Sequence, residues 1–351
     1  MRRGGRQTTN YLLLVVPRRK GVTARLLLLV LSAAALAAGW ALADRIATAL
    51  LYPLPTTNTL DHLRINRSLK SYLDNITLLL EPSPSCAGAP VVAVVTSTPH
   101  HFDQRMAIRE TWGRHLPTYF ILGLNGTAVE DLLVDNYIEA KEHRDMIVYQ
   151  FRDHYQNLTI KTALLVRWAA AACPGLTFLF KVDDDILVNP WTLKDVVNKS
   201  SDANLIGYRK ENSYVHRDEH NKWYLPRWLL RPDLVPEYLS GTAYLINGRH
   251  LTTILHTAFN IPMINLEDVY FTHLVASELG LTLTHDRRLS PYKPWAPAAC
   301  LYWTLASAHS LTPQEMTRVW PGLSYLGEQY DTGQKVCGFY EKYLNSELLL
   351  Y

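Results

Sequence analysis

Asp183-Asp184-Asp185 is the stretch best equipped for chemistry. Three adjacent carboxylates repel one another and lose hydration when packed together, so a fold that gathers them needs a compensating cation. Oxygen-rich clusters of this kind suit Mg²⁺ or Mn²⁺, which keep several waters and bind substrate phosphates as well. A solvated acidic turn is the plain alternative. The sequence before the triplet, Thr177-Phe178-Leu179-Phe180, is β-branched and aromatic and is bounded by Pro174-Gly175, the pattern of a buried strand. The carboxylates therefore stand at a strand's carboxyl end, where α/β proteins hold ligands. Arg105 and Arg109, four apart, share one helical face suited to a nucleotide or its phosphates, or to structural salt bridges. Lys161 and Lys181 suit either role. Trp223, Tyr238 and Tyr244 offer faces on which sugars stack, or plain core.

The elements that must position these residues alternate. Val91–Val95, Tyr119–Leu122 and Asp145–Phe151 read as strands. Helical stretches at 104–112, 129–143 and 158–173 separate them. Such alternation predicts an α/β sheet, largely parallel, in the first half. Further on, 190–199, 249–259 and 269–279 read as helices, the last capped by Gly280. Strands are expected at 204–208 and 240–246, and Pro226, Pro232 and Pro236 mark a loop-rich region between them.

The chain has 351 residues, 48% of them hydrophobic and 11% aromatic, which is a globular composition with ample core. Its net charge is +3, with Arg2, Arg3, Arg6, Arg18, Arg19, Lys20 and Arg25 all preceding the first long apolar run. The remainder is slightly acidic, which argues against nucleic acid as a partner. Residues 26–43 are uncharged and long enough for a thin bilayer, and positive charge on their N-terminal side keeps that end cytoplasmic. The expected organisation is a cytoplasmic tail (1–25), a transmembrane signal-anchor (26–43), a Pro-punctuated stem (44–88) and a lumenal catalytic domain (89–351). Asn66, Asn75, Asn125, Asn157 and Asn198 each open an Asn-x-Ser/Thr sequon, all beyond the anchor. Cys86, Cys173, Cys300 and Cys337 also follow it, an even number that permits one or two disulfides.

Several blocks, in order, resemble the β1,3-glycosyltransferases of glycosyltransferase family 31. They are Arg105-Met-Ala-Ile-Arg109-Glu-Thr-Trp112, Asn157-Leu-Thr-Ile-Lys161-Thr, Lys181-Val-Asp183-Asp184-Asp185, Tyr238-Leu-Ser-Gly241-Thr-Ala-Tyr244 and Glu267-Asp268-Val-Tyr270. Cys300 and His309, with 312–320 after them, resemble the family's closing cysteine and histidine. Two departures stand out. Phe271-Thr272 occupy the place where a glycine usually follows Glu-Asp-Val-Tyr, and Leu187 stands where phenylalanine is common. Both bear on pocket shape and hence on sugar preference.

The resemblance implies a GT-A-like α/β fold and inverting transfer of a sugar from a UDP-sugar to a glycan acceptor, in the Golgi membrane as a single-pass type II protein. It implies Mn²⁺ or Mg²⁺ held by Asp183, Asp185 and His309, with Arg105, Arg109, Lys181 and Asp184 on the donor side. Inversion needs one base to take the acceptor hydroxyl's proton, and Asp268 is the choice. Glu267 is assigned to structure or acceptor contact, along with Trp223, Tyr238 and Tyr244. Galactose is the favoured sugar and N-acetylglucosamine the alternative. Two other classes compete: an inactive glycan-binding relative, which the intact carboxylates oppose, and a phosphoester hydrolase, which lacks a second ligand cluster.

Overall fold

The computed structural model describes residues 28–40, 42–43, 60–83, 86, 89–124 and 130–338. The chain divides into two compact units between Thr57 and Asn58. In the first, the described part of the expected anchor (28–40 and 42–43) is helical and exposed. No helix among the described residues is long and apolar enough to cross a membrane. The expected tail, 1–25, lies outside the described residues.

The second unit carries everything that follows. Its elements are α1 (Asp61–Ile65), α2 (Leu69–Asp74), β1 (Leu78–Leu80), β2 (Val91–Thr96), α3 (Phe102–Glu110), β3 (Thr118–Gly123), α4 (Glu130–His143) and β4 (Met146–Tyr149). There follow α5 (Leu158–Ala172), β5 (Phe178–Asp183), β6 (Leu187–Val188), α6 (Pro190–Lys199), β7 (Leu205–Tyr214), β8 (Leu234–Asn247) and α7 (Leu251–Ala258). The last are α8 (Glu267–Val269), a π-helical segment (Tyr270–Val275), α9 (Ala276–Glu278), β9 (Leu283–His285), α10 (Ala299–Trp303), β10 (Ser307–Ala308) and α11 (Pro313–Asp331).

Eight strands form one sheet in the order β1-β4-β3-β2-β5-β8-β7-β9. Strands β4, β3, β2 and β5 run parallel, as the alternation predicts, and β8 enters antiparallel between β5 and β7. Along β2 the side chains alternate between two cores. Val92 and Val94 join one, with α5 and α7; Val91, Ala93 and Val95 join the other, with α3, α6 and α11. A strand covered on both faces needs an unbroken apolar run, which is how Val91–Val95 reads.

The path from β2 through β3 to β4 moves one way across the sheet, and β5 returns to the other side of β2. That reversal makes the carboxyl ends of β2 and β5 a topological switch point, the crevice where open α/β sheets take ligands. Thr96 stands beside Asp183 in this register.

Two differences from the sequence reading concern the frame. Residues 60–83 and Cys86, read as stem, fold onto the body: Leu60, Leu63, Leu69, Leu73 and Cys86 are buried in its core, and β1 pairs with β4. Within the range the even cysteine count permits, and so not itself a difference, Cys86 is bonded to Cys173 and Cys300 to Cys337, leaving no free cysteine. The region after residue 204 is a long antiparallel pair, β7 and β8, where separate short strands are expected. Pro226 and Pro232 lie in the connecting loop, and Pro236 is carried within β8 between Val235 and Glu237, which still pair with Ser213 and Glu211.

Of the sequons, Asn75 and Asn198 are exposed and Asn66 and Asn157 half-buried, while Asn125 lies outside the described residues.

Candidate active site

The acidic triplet ends β5 with its three side chains sent to different partners. Asp183 Oδ1 accepts from Thr96 Oγ1 at 2.6 Å and from Lys181 Nζ at 2.6 Å. Asp184 Oδ2 accepts from Ser97 Oγ at 2.7 Å and lies 2.8 Å from His101 Nδ1. That hydrogen bond, against burial, holds His101 above the usual imidazole range. Asp185 Oδ2 lies 3.3 Å from His309 Nε2. Burial opposes charge on both members of that pair, yet each holds the other ionised, Asp185 down and His309 up.

His309 reaches Asp185 because β6 pairs antiparallel with β10, Leu187 opposite Ala308 and Val188 opposite Ser307. The Asp185 carbonyl then accepts from Leu311 N–H at 3.0 Å. Between them Ser310 adopts φ 63°, a left-handed conformation uncommon for a residue other than glycine. Its hydroxyl lies 3.0 Å from His309 Nδ1.

The second half of the site comes from β8 and α8. Between Gly207 and Arg209 the β7–β8 register jumps, so 240–243 leave the ladder opposite Tyr208. The freed segment turns Gly241 onto the acidic pair: its N–H donates to Asp268 Oδ2 at 3.1 Å, and its carbonyl accepts from Lys181 Nζ. A Cβ on Gly241 would stand 2.9 Å from Glu267 Oε1, which is why glycine occupies this position. Asp268 Oδ1 accepts from Val269 N–H at 2.8 Å. Asp268 is half-buried, and burial raises its carboxyl above the usual range.

Lys181 joins the halves. It is 1% exposed, and besides Asp183 it pairs with Glu267 Oε1 at 3.1 Å. Burial disfavours its charge, but the two carboxylates outweigh that and hold its pKa up. Glu267, 5% exposed, also accepts from Tyr244 Oη at 2.9 Å and Thr162 Oγ1 at 3.3 Å. Burial pushes it up to about 7 against the pull of Lys181.

This raised value has a consequence for stability. Unfolded, Glu267 titrates near 4.5, so between that pH and about 7 the folded chain holds a proton that the unfolded chain has released. Stability contributed by this group therefore falls as pH rises through the window. Urea unfolding across it should show a shallower decline in Glu267→Gln than in the wild type. Identical slopes would mean that Glu267 titrates as it does in water.

The π-helical segment follows the acidic pair directly, and such segments concentrate at functional sites. Thr272 Oγ1 donates to the Asp268 carbonyl at 2.6 Å and accepts from Leu239 N–H at 2.8 Å. The hydroxyl where the related motif has glycine thus ties the start of α8 to β8.

Four residues assigned to substrate contact are committed inside the protein. Arg105 is 0% exposed and its guanidinium pairs with Glu139 at 2.6 Å; it also donates to Ser97 Oγ at 3.1 Å. Arg109 pairs with Glu139 at 2.7 Å and Asp145 at 2.8 Å. These two cations hold Glu139 below the usual carboxylate range although burial acts the other way. Arg105 therefore reaches the site only through Ser97, which orients Asp184. Lys181 is internal as described. Tyr244 is wholly buried beneath Glu267, so it supports that carboxylate and meets no sugar. The reason is common to all four: a buried charge or hydroxyl needs a partner, and a neighbouring element supplied one. Lys161 is similar, donating to the Ser97 carbonyl at 2.6 Å and pairing with Asp153 at 2.6 Å.

Trp223 is 49% exposed and Tyr238 half-buried, so neither is enclosed as those residues are. Sequence reasoning missed Thr96, Ser97 and His101, although Thr96-Ser97 directly ends the most apolar strand. It also missed Tyr155. Burial raises that phenol, with Asp268, Asp183 and Glu267 adding to the effect, and it hydrogen-bonds to Trp223. Tyr155 thus feels the charge of both carboxylate groups.

For a divalent cation, the donor chemistry fits: Asp185 and His309 come together, and Asp183 has one oxygen free of Lys181 and Thr96. Among the described residues no three His, Cys, Asp or Glu side chains are gathered in ligand geometry.

Comparison with known proteins adds a family. The galactosyltransferase family model matches residues 103–287. Human beta-1,3-galactosyltransferase 1 is 33% identical over 261 residues, covering 70% of this chain and 78% of that one. Human beta-1,3-galactosyltransferase 5 is 30% identical over 255 residues, covering 69% and 81%. A solved glycosyltransferase involved in glycosylation of the major capsid of PBCV-1 aligns over 65% of this chain and 98% of its own, at 12% identity and a TM-score of 0.35.

Proposed function

The chain belongs to the galactosyltransferase family, and from that premise we propose that it transfers galactose from UDP-galactose to the 3-hydroxyl of a glycan acceptor, inverting the anomeric carbon to give a β1,3 linkage. The observation that carries the reading is the Lys181 bridge. It ties Asp183, at the mouth of the β2–β5 crevice, to Glu267, the neighbour of Asp268. Nucleotide and base would thereby be held on neighbouring elements, β5 of the sheet and the helix α8.

In the proposed mechanism the acceptor hydroxyl gives its proton to the Asp268 carboxylate as its oxygen attacks the anomeric carbon. The bond from that carbon to the diphosphate oxygen breaks, and UDP leaves with the electron pair. Gly241 and Val269 N–H groups fix the Asp268 carboxylate, so little reorientation is needed when the proton moves. Ser97 and His101 hold Asp184 toward the nucleotide side. Asp183, Asp185 and His309 would hold Mn²⁺ or Mg²⁺, which would offset the charge gathering on the leaving diphosphate. The uncharged run at 26–43 and the sequons after it support a Golgi type II glycoprotein with a lumenal catalytic body.

The test is UDP release by the purified protein with UDP-galactose and UDP-N-acetylglucosamine, each with a panel of glycan acceptors. Turnover is expected with UDP-galactose, lost in excess chelator and restored by Mn²⁺. Turnover with UDP-N-acetylglucosamine alone would overturn the sugar assignment, and full activity in chelator would overturn the metal.

A further inference from the structure

A cavity of about 850 Å³ shares none of its lining residues with the site described above. Its walls come from α6, the segment after β9, the end of α10, and the end of α11 with the turn that follows it. Strand β10 stands between it and the acidic triplet. Ser307 pairs with Val188 on one edge and bridges on the other to Leu289, which directly follows the wall at 285–288. Two of the walls are covalently joined, because the Cys300–Cys337 disulfide ties α10 to the chain after α11. Gly333, at φ 81°, takes the left-handed conformation that turns the chain back at this point.

The charges in these walls are unequal. Lys199, Arg287, Arg288 and Lys335 face two carboxylates, Asp195 and Asp286. Asp286 is committed to Arg288 at 2.6 Å, and that hydrogen bond holds the guanidinium above its ordinary range against burial, with Asp195 adding to the effect. Lys199 and Lys335 make no hydrogen bond or ion pair among the described residues, and both are exposed. Cations gathered on one concave surface repel each other and raise the local concentration of anions.

Size and wall chemistry narrow the anion. A bare sulfate or phosphate fills a small part of this volume, which is that of a pocket for a larger organic molecule. Trp303 and Tyr330 supply an aromatic wall, their ring centroids 5.5 Å apart, and such rings match the apolar C–H faces of a sugar. The hydroxyls of Thr192 and Thr304 donate to the carbonyls of Trp303 and Leu301, each at 2.8 Å, and keep lone pairs that can accept from sugar hydroxyls.

We propose that this cavity is a second carbohydrate site, separate from the transfer crevice, for a saccharide that carries a sulfate or phosphate ester. Lys199 and Lys335 take the anion, and Trp303 and Tyr330 take the sugar ring. The site does not depend on the transfer reading.

Calorimetric titration of the full chain tests it, with and without excess UDP and Mg²⁺ to occupy the crevice. The titrants are the methyl β-glycosides of galactose and N-acetylglucosamine, their 6-sulfates and 6-phosphates, and inorganic sulfate. At least one ester is expected to bind about tenfold more tightly than its neutral glycoside and than inorganic sulfate, whether or not UDP is present. The tighter ester identifies the source of the anion. Lys199→Ala/Lys335→Ala should weaken that ester about tenfold or more, the scale of one hydrogen bond to a charged group. Lys199→Arg/Lys335→Arg should retain it, and Tyr330→Ala should weaken it toward inorganic sulfate. Unchanged affinity in the double alanine variant, displacement by UDP, or no binding of any ester would overturn the site. Inorganic sulfate binding as tightly as the esters would overturn the saccharide assignment.

Discussion

Asp268→Asn should lower the transfer rate by about 10²- to 10⁴-fold, the range general-base catalysis typically contributes. Asparagine keeps the size of the side chain and one carbonyl oxygen, so one of the two N–H donors at Gly241 and Val269 stays satisfied. What it loses is the proton acceptor. UDP affinity should hardly move, because the proposed nucleotide side lies at the ends of β2 and β5, and Asp268 sits on α8. The pH profile offers a second readout. Burial raises the Asp268 carboxyl, so the wild-type rate should climb with pH through a point above the ordinary aspartate range. The residual activity of Asp268→Asn should lack that limb. Glu267→Gln is expected to be milder, since Glu267 is enclosed by Lys181, Tyr244 and Thr162. A near wild-type rate in Asp268→Asn with an inactive Glu267→Gln would pass the base to Glu267. If both stay active, neither residue takes the proton.

Lys181→Met should destabilise the protein by about 3–5 kcal/mol, the cost of removing one partner from a buried ion pair. Methionine nearly matches the lysine stem in volume, so packing on Tyr244 survives and the loss is electrostatic. Glu267 Oε1 would be left with no cation, and Asp183 would keep only Thr96 as donor to its Oδ1. Folded domains hold roughly 5–15 kcal/mol in all, so the variant stands near the limit of folding. The double variant Lys181→Met/Glu267→Gln keeps the idea testable: neutralising the stranded acid should recover part of the loss. Chemical denaturation of the four proteins in the cycle gives the coupling directly. A Lys181→Met cost below about 1 kcal/mol, typical of an exposed pair, would mean that the bridge is solvated. Activity should fall in Lys181→Met even where the fold persists, because Asp183 and Glu267 lose their shared anchor.

The sequence by itself determined the elements and the chemistry available to them. Val91–Val95 and Thr177–Phe180 read as buried strands, because β-branched and aromatic residues fill them. The acidic triplet at the end of β5, the acidic pair opening α8 and the glycine of β8 were legible for the same local reasons. Five ordered blocks, with a looser match around Cys300 and His309, pointed to one family. The tertiary structure decided which of these groups face a substrate. Lys181 and Asp183 lie two apart on one strand and so share a face, but that Glu267 would meet Lys181 there depends on α8 packing against that face of the sheet. Arg105 and Arg109 share a helical face as expected, yet that face turned toward Glu139 and Asp145, not toward a nucleotide. The sequence specifies a side chain's charge and its direction from its own element. Whether that charge meets solvent, ligand or counter-ion is set by an element far along the chain, as when β6 and β10 bring His309 to Asp185 across more than a hundred residues.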